Sequence, residues 1–71
     1  MPLIQVHMLK GRTDQQKRQI IEGMTKVMVD VCGLSPERVA VLLHEMDADN
    51  WGRAGVPLAD ELRAADGTGR G

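Results

Sequence analysis

The chain has 71 residues and a formal net charge of −1, from nine basic and ten acidic side chains. A chain this short forms one small domain and buries only roughly 60% of its unfolded surface, so its own core is marginal. One cysteine excludes an internal disulfide. The cysteine and the two histidines are widely spaced, which argues against a structural zinc site. We therefore expect the fold to be stabilised by self-association.

Charge and hydropathy argue against two classes of partner. The sequence contains no basic run, so it lacks the electrostatic footprint of a nucleic-acid-binding protein. It also contains no apolar run of about eighteen residues and no pattern of a cleaved secretion signal. We expect a soluble, cytoplasmic protein that binds neither nucleic acid nor membrane.

The first predicted element is a strand over residues 2–9, where apolar and mixed positions alternate. One face is apolar and the other is mixed: Ile4, Val6 and Met8 against Leu3, Gln5, His7 and Leu9. A helix should follow over residues 15–32, because Thr13 and Gln16 form a capping box and Gly33 is a stop signal. Its apolar residues have the spacing of one buried stripe: Ile20, Ile21, Met24, Val27, Met28 and Val31.

A second strand is predicted over residues 38–46, after a capped turn at residues 35–37. Both of its faces are largely apolar, as in a strand inside a sheet. The helix, at roughly 27 Å, can return the chain along a strand of similar length. The fold class is therefore α/β (α+β), a single βαβ protomer with parallel strands.

The rest of the chain is predicted to be peripheral. A Gly- and Asp-rich loop or short hairpin carries Trp51, a short helix follows over residues 58–65, and residues 66–71 form a disordered tail. Residues 1–65 thus make up the domain. Because a two-stranded sheet is unstable alone, we expect copies of the chain to share sheets in a symmetric oligomer.

Few residues suggest chemistry on their own. His7 and His44 lie within strands and are more typical of packing residues than of ligands, and Cys32 is interpreted as inert. Pro2 stands out because removal of Met1 would make it a secondary amine fixed at the start of a strand. An apolar pocket and a nearby cation would both disfavour the ammonium form, which would leave a base at neutral pH.

Over about residues 2–62, the chain resembles the 4-oxalocrotonate tautomerase family. The opening PLIQVHMLKGRTDQQK is the specific part, and the VAVLLHEM strand and the DNWGRAG loop agree with it. The resemblance implies a homohexamer, a trimer of dimers, that moves a proton between enol and keto forms of a small 2-oxo acid without a cofactor. Pro2 matches the family base, Arg12 the arginine that grips the substrate carboxylate, and Trp51 a pocket aromatic.

One position departs from the family pattern. Ala40 stands where well-studied relatives carry a second arginine that stabilises the developing enolate. Loss of such a donor typically costs on the order of 10²-fold to 10³-fold in rate. Arg53 and Arg38 are the substitutes that we consider, with Arg53 preferred.

Two alternatives stay open at this level. The same scaffold could support a hydratase or dehalogenase of an unsaturated acid, with Glu45 or Asp47 activating water. Alternatively, the chain could be a non-catalytic oligomeric module that lost its activity with the second arginine.

Overall fold

The computed structural model describes the backbone of residues 1–70 and the side chains of residues 1–64. Its main unit is a strand, a helix and a strand: β1 (Leu3–Leu9), α1 (Asp14–Cys32) and β2 (Ala40–Met46). β1 and β2 are parallel, with a register that runs from Leu3 opposite Ala40 to Leu9 opposite Met46. The predicted βαβ fold is confirmed.

Local signals in the sequence set the ends of α1. Thr13 accepts a hydrogen bond from the backbone N–H of Gln16, whose side chain accepts one from the backbone of Thr13. At the other end, Gly33 adopts the left-handed conformation (φ 68°) and donates its N–H to the carbonyl of Val29. Both caps satisfy backbone groups that a helix end leaves unpaired, which explains why the predicted helix is confirmed to within one residue.

The second strand begins later than the sequence predicts. Residues Pro36–Arg38 form a 3₁₀ turn, which closes with the N–H of Val39 donating to the carbonyl of Pro36. Proline at the first position favours this turn over an extended chain. The prediction that the second strand begins at residue 38 is therefore wrong, because Arg38 belongs to the turn and β2 begins at Ala40.

Only one face of the sheet is covered within the protomer. The covered face packs against α1, as shown by the ion pair between Lys17 of the helix and Glu45 of β2. We call the other face the open face, and it consists of eight residues: Leu3, Gln5, His7, Leu9, Ala40, Leu42, His44 and Met46. Leu3 is 52% exposed there and Leu42 is 46% exposed.

Across residues 1–64, no side chain is fully buried. The predicted helix stripe is only partly covered: Met28 is half-buried, whereas Val27 is 56% exposed and Val31 is 77% exposed. Two strands are too narrow to cover an apolar stripe of this width. The described part of one protomer therefore has no core of its own, in keeping with the expected self-association.

Beyond β2, the chain forms a short arm. A turn at Ala48–Asn50 leads to a hairpin of β3 (Gly52–Arg53) and β4 (Val56–Pro57), then to α2 (Leu58–Arg70). Ala54 and Gly55 both have positive φ, at 55° and 79°, as expected of a tight hairpin turn. The hairpin alternative of the sequence analysis is thus correct.

α2 packs against the Ala48–Asn50 turn, and it runs past residue 65, where the sequence places its end. The disordered tail expected over residues 66–71 stays a prediction, and Gly71 lies outside the described residues. Within the part of the chain that the structure describes, no helix is long and apolar enough to cross a bilayer.

Candidate active site

The candidate residues lie at two opposite ends of the sheet. Because β1 and β2 are parallel, Pro2 and Arg38 both come just before the strands begin. The second group follows the strands: Arg12 comes after β1, and Trp51 and Arg53 come after β2. The structure therefore brings together two subsets of the predicted site, not the whole of it.

Pro2 is fixed at the amino-terminal end of the sheet. It is half-buried, and its carbonyl accepts a hydrogen bond of 3.1 Å from the N–H of Ala40. Met1, in contrast, is 90% exposed. While Met1 is attached, the Pro2 nitrogen is an amide without basicity, and removal of Met1 converts it into a secondary amine.

Arg12 lies at the carboxyl-terminal end and is exposed. Gly11 turns the chain out of β1 with a φ of 125°, a conformation that glycine adopts readily. Arg12 borders a concavity of about 320 Å³, together with Gln16, Gln19 and Ile20. None of the ion pairs among residues 1–64 involves Arg12, so its guanidinium can bind a carboxylate through two parallel hydrogen bonds.

The three neighbours of Arg12 in this concavity were not singled out by the sequence analysis. Arg12 precedes α1 and is not helical, but Gln16, Gln19 and Ile20 are separated by three and four residues and therefore share one face of the first turns of α1. The helical spacing of these three residues, close after Arg12, could have identified them.

Pro2 and Arg12 of one chain are far apart. Six residue steps separate the two ends of β1, which is about 20 Å of extended chain. An arginine side chain reaches about as far as two strand residues, roughly 7 Å. A small acid held by Arg12 therefore cannot reach the Pro2 nitrogen of the same protomer.

The arm carries Trp51 and Arg53. Trp51 is half-buried, and its carbonyl accepts a hydrogen bond of 2.6 Å from the N–H of Leu58, which ties the arm to the start of α2. Arg53 is 73% exposed and pairs with Glu61 of α2 at 2.8 Å. This pair orients the guanidinium along α2 and partly neutralises it.

Ala40 and Arg38 sit beside Pro2 at the other end. Ala40 is the first residue of β2, and its side chain belongs to the open face opposite Leu3. Arg38 is exposed and ends the 3₁₀ turn, two residues earlier. Position 40 thus presents a methyl group on an apolar surface.

Glu45, considered above as a water-activating carboxylate, has another partner. Its carboxylate lies 3.1 Å from Lys17 Nζ, and this hydrogen bond, with the attraction between the charges, raises the pKa of Lys17. Glu45 also lies five residues beyond Ala40, about 17 Å along the strand from the end that holds Pro2. Within one protomer, Glu45 is therefore a structural ion-pair partner remote from Pro2.

Among the described residues, no group of three or more histidine, cysteine, aspartate or glutamate side chains is arranged to hold a metal ion. The arrangement offers instead an amine that Met1 removal would create, an unpaired guanidinium and an aromatic side chain. These groups suit proton transfer on an anionic organic acid.

Comparison with known proteins decides the family. The family model described as "Tautomerase enzyme" matches residues 2–61. The chain belongs to the 4-oxalocrotonate tautomerase family. It is 42% identical to the 2-hydroxymuconate tautomerase of Bacillus subtilis (strain 168), over 84% of this chain and 97% of that protein. The 2-hydroxymuconate tautomerase of Comamonas testosteroni is 41% identical, over 79% of this chain and 89% of that protein.

Solved structures agree with this assignment. A structure from work on the 4-oxalocrotonate tautomerase isozymes of Methylibium petroleiphilum superposes with a TM-score of 0.84 at 32% identity, covering 89% of this chain and 98% of that one. The strong match to named tautomerases over most of the chain shows that the protein is an enzyme of the isomerase class, a tautomerase.

Proposed function

We propose that this tautomerase moves a proton between the enol and keto forms of a small 2-oxo acid, with the amine of Pro2 as the base and no cofactor. The position of Pro2 carries the proposal, because it is half-buried and anchored to β2 directly after an exposed Met1. The relatives named 2-hydroxymuconate tautomerase support a 2-hydroxydienoate as the substrate class.

The reaction needs one base that later acts as an acid. The Pro2 amine takes the proton of the enol hydroxyl, and the electron pair of that O–H bond becomes the new carbonyl. The double bonds of the substrate shift, and the ammonium of Pro2 returns the proton to a carbon atom of the substrate that lies further from the new carbonyl. Atoms and charge balance without an outside reagent, and a positioned base of this kind typically contributes 10²-fold to 10⁴-fold in rate.

The substrate carboxylate is held by Arg12, and this arginine comes from a second copy of the chain. The separation of about 20 Å between the ends of β1 supports this arrangement. A partner that offers its carboxyl-terminal sheet end to the Pro2 end of its neighbour would supply Arg12 and the arm together. A positive guanidinium near Pro2 also disfavours the ammonium form and keeps the amine free.

Trp51 walls the pocket in this proposal and excludes water from the amine. Arg53 is the preferred replacement for the missing family arginine, since it lies two residues from Trp51 and its pairing with Glu61 restricts the guanidinium. Arg38 is the second candidate, because it lies at the same end of the sheet as Pro2.

The assembly is proposed to be a homohexamer, a trimer of dimers, in the cytoplasm. The absence of any fully buried side chain in residues 1–64 and the exposed apolar residues of the open face support association of identical copies. The two-stranded sheet also leaves an outer edge on both β1 and β2 at which neighbouring copies can add strands.

The test is enol-to-keto conversion of a 2-hydroxydienoate and of phenylenolpyruvate, by protein whose mass shows that Met1 is removed. We expect Pro2→Ala to lower kcat by about 10²-fold to 10⁴-fold. Arg12→Ala should lower kcat/KM by roughly 10-fold to 100-fold, since it removes charge-assisted hydrogen bonds. Arg18→Ala, an exposed arginine of α1, is the matched control and should leave the rate unchanged.

Processed wild-type protein that does no better than buffer on both substrates would refute the proposed substrate class. If a haloacrylate were consumed instead, the dehalogenase alternative would take its place. Equal rates for wild type and Pro2→Ala would exclude the amine as the base.

A further inference from the structure

A pair of histidines occupies the middle of the open face. His7 of β1 lies opposite His44 of β2, and the two imidazole rings stack with centroids 4.5 Å apart and planes 12° from parallel. Atom Nε2 of His44 is shielded from solvent and has no hydrogen-bond partner among the described residues. A shielded polar atom without a partner is costly, and protonation of this nitrogen would add a charge that no described residue of the open face balances.

Among the described residues, the open face around the pair carries no compensating charge. The other six residues of the open face are uncharged: Leu3, Gln5, Leu9, Ala40, Leu42 and Met46. α1 packs on the opposite face, where Lys17 and Glu45 pair with each other. The charged residues that directly follow the two strands, Lys10 and Asp47, are 3.2 Å apart and also pair with each other. No carboxylate of the open face can therefore balance a protonated imidazole.

A second copy of this chain is the occupant that fits the open face. The face is apolar and exposed around the histidines, with Leu3 at 52%, Leu42 at 46% and Met46 at 37%. Residues 1–64 contain no fully buried side chain, so the protomer needs this area covered in order to gain a core. The separation of Pro2 from Arg12 along β1 independently calls for another copy at the site.

We propose that the His7–His44 pair makes the association of copies through the open face sensitive to pH. This inference rests on the oligomer of the proposed function. Neutral imidazoles can be covered by an apolar partner surface, whereas a protonated imidazole there would be desolvated with no counter-charge. If both rings are protonated, two positive charges lie with their ring centroids 4.5 Å apart, and their repulsion further disfavours the assembled state.

The sign follows from proton binding. Histidine is the side chain whose charge ordinarily changes between pH 5 and pH 8. Separated copies leave His7 exposed to water, so they bind more protons than an assembly that covers it. Association is complete above this range and weakens as the pH falls through it. For each proton that must be released on association, the association constant falls by up to tenfold per pH unit as the pH is lowered. Because Arg12 reaches Pro2 only between copies, dissociation in acid would separate the two residues of the site. This loss of activity would add to the loss caused by direct protonation of the Pro2 amine.

The test is sedimentation velocity from pH 8 to pH 5 at constant ionic strength. The proteins are wild type, His7→Gln, His44→Gln and the double variant. We expect the wild-type mass to fall to smaller species between pH 7 and pH 5, and the double variant to stay assembled over that range. Glu45→Gln is the matched control, because it removes a titrating side chain from the opposite face and should follow the wild type.

Equal transitions in wild type and double variant would overturn the inference, as would a wild type that stays assembled at pH 5. If the double variant does not assemble at pH 8, the single variants decide, since either should move the transition to lower pH. The readout requires no turnover, so it is distinct from the test of function. A protein that assembles at pH 8 but is inactive would contradict the proposed reaction. An active protein whose assembly does not depend on pH would contradict only the inference about the histidine pair.

Discussion

Mixing two inactive variants tests whether the active site is built from two chains. Pro2→Ala removes the proposed base and Arg12→Ala removes the proposed carboxylate clamp, so each variant alone should retain at most about one tenth of the wild-type kcat/KM. The two residues lie at opposite ends of β1, about 20 Å apart along the strand. In the proposed site, Pro2 therefore comes from one chain and Arg12 from another.

This geometry fixes the size of the effect. In an oligomer assembled at random from equal amounts of the two variants, half of the Pro2 positions and half of the Arg12 positions are intact. Independent contributions from two chains then restore about one quarter of the sites to wild type. A site in which both residues came from one chain would contain no intact pair at any mixing ratio.

The assay is enol-to-keto conversion by variants that are unfolded together and refolded together. Variants refolded separately and mixed without exchange are the control, and they should show only residual activity. Co-refolded Pro2→Ala and Arg18→Ala should recover activity in proportion to the intact Pro2 chains. No recovery from co-refolded Pro2→Ala and Arg12→Ala, with mixed oligomers shown by mass, would refute the two-chain site.

Three further predictions concern the amine, an ion pair and a helix cap. A glutamine inserted between Met1 and Pro2 keeps the Pro2 nitrogen as an amide, and should lower kcat by about 10²-fold to 10⁴-fold at unchanged assembly; full activity in protein whose mass shows the insertion would contradict the role of the amine. Glu45 raises the pKa of Lys17 above its ordinary 10.5, so the pair stabilises the fold below that value and loses its contribution as the pH rises through the raised pKa. Thermal melts should show Glu45→Gln less stable than wild type at pH 8 and equal to it at strongly alkaline pH; a difference that persists there would contradict this assignment. Gly33→Ala should lower the free energy of unfolding by about 1 kcal/mol, because Gly33 has a φ of 68°, and Gly33→Asn should lower it less. Denaturant midpoints of both variants equal to that of the wild type would contradict this prediction.

The elements that the sequence predicted well depend on local signals. The capping box of Thr13 and Gln16, the left-handed Gly33 and the alternation in β1 each involve residues that are close in sequence. Such signals act before tertiary packing does, which explains why the βαβ order and the helix ends were predictable. The turn predicted at residues 35–37 is present but extends through Arg38, so the predicted start of the second strand was wrong by two residues.

The features that the sequence analysis missed depend on register and on the width of the sheet. No local pattern says that His7 lies opposite His44, because a shift of one residue would put either side chain on the other face. Periodicity likewise predicted one buried stripe on α1, yet two strands leave Val27 and Val31 exposed. The separation of Pro2 from Arg12 was available from strand length alone, since it needs only the bounds of β1.

Association with a neighbouring copy would complete both the core and the proposed site. The protomer exposes apolar residues on the open face and along α1, and no side chain among residues 1–64 is fully buried. The same protomer holds its proposed base and its proposed carboxylate clamp at opposite ends of one strand. Arg12 and the arm lie together at the carboxyl-terminal end of the sheet. A neighbour that places this end against the Pro2 end of the first protomer would cover apolar surface there and supply the missing guanidinium. Stability and catalysis are then coupled through the same contacts, so a change that weakens association should reduce activity even when it touches no residue of the site.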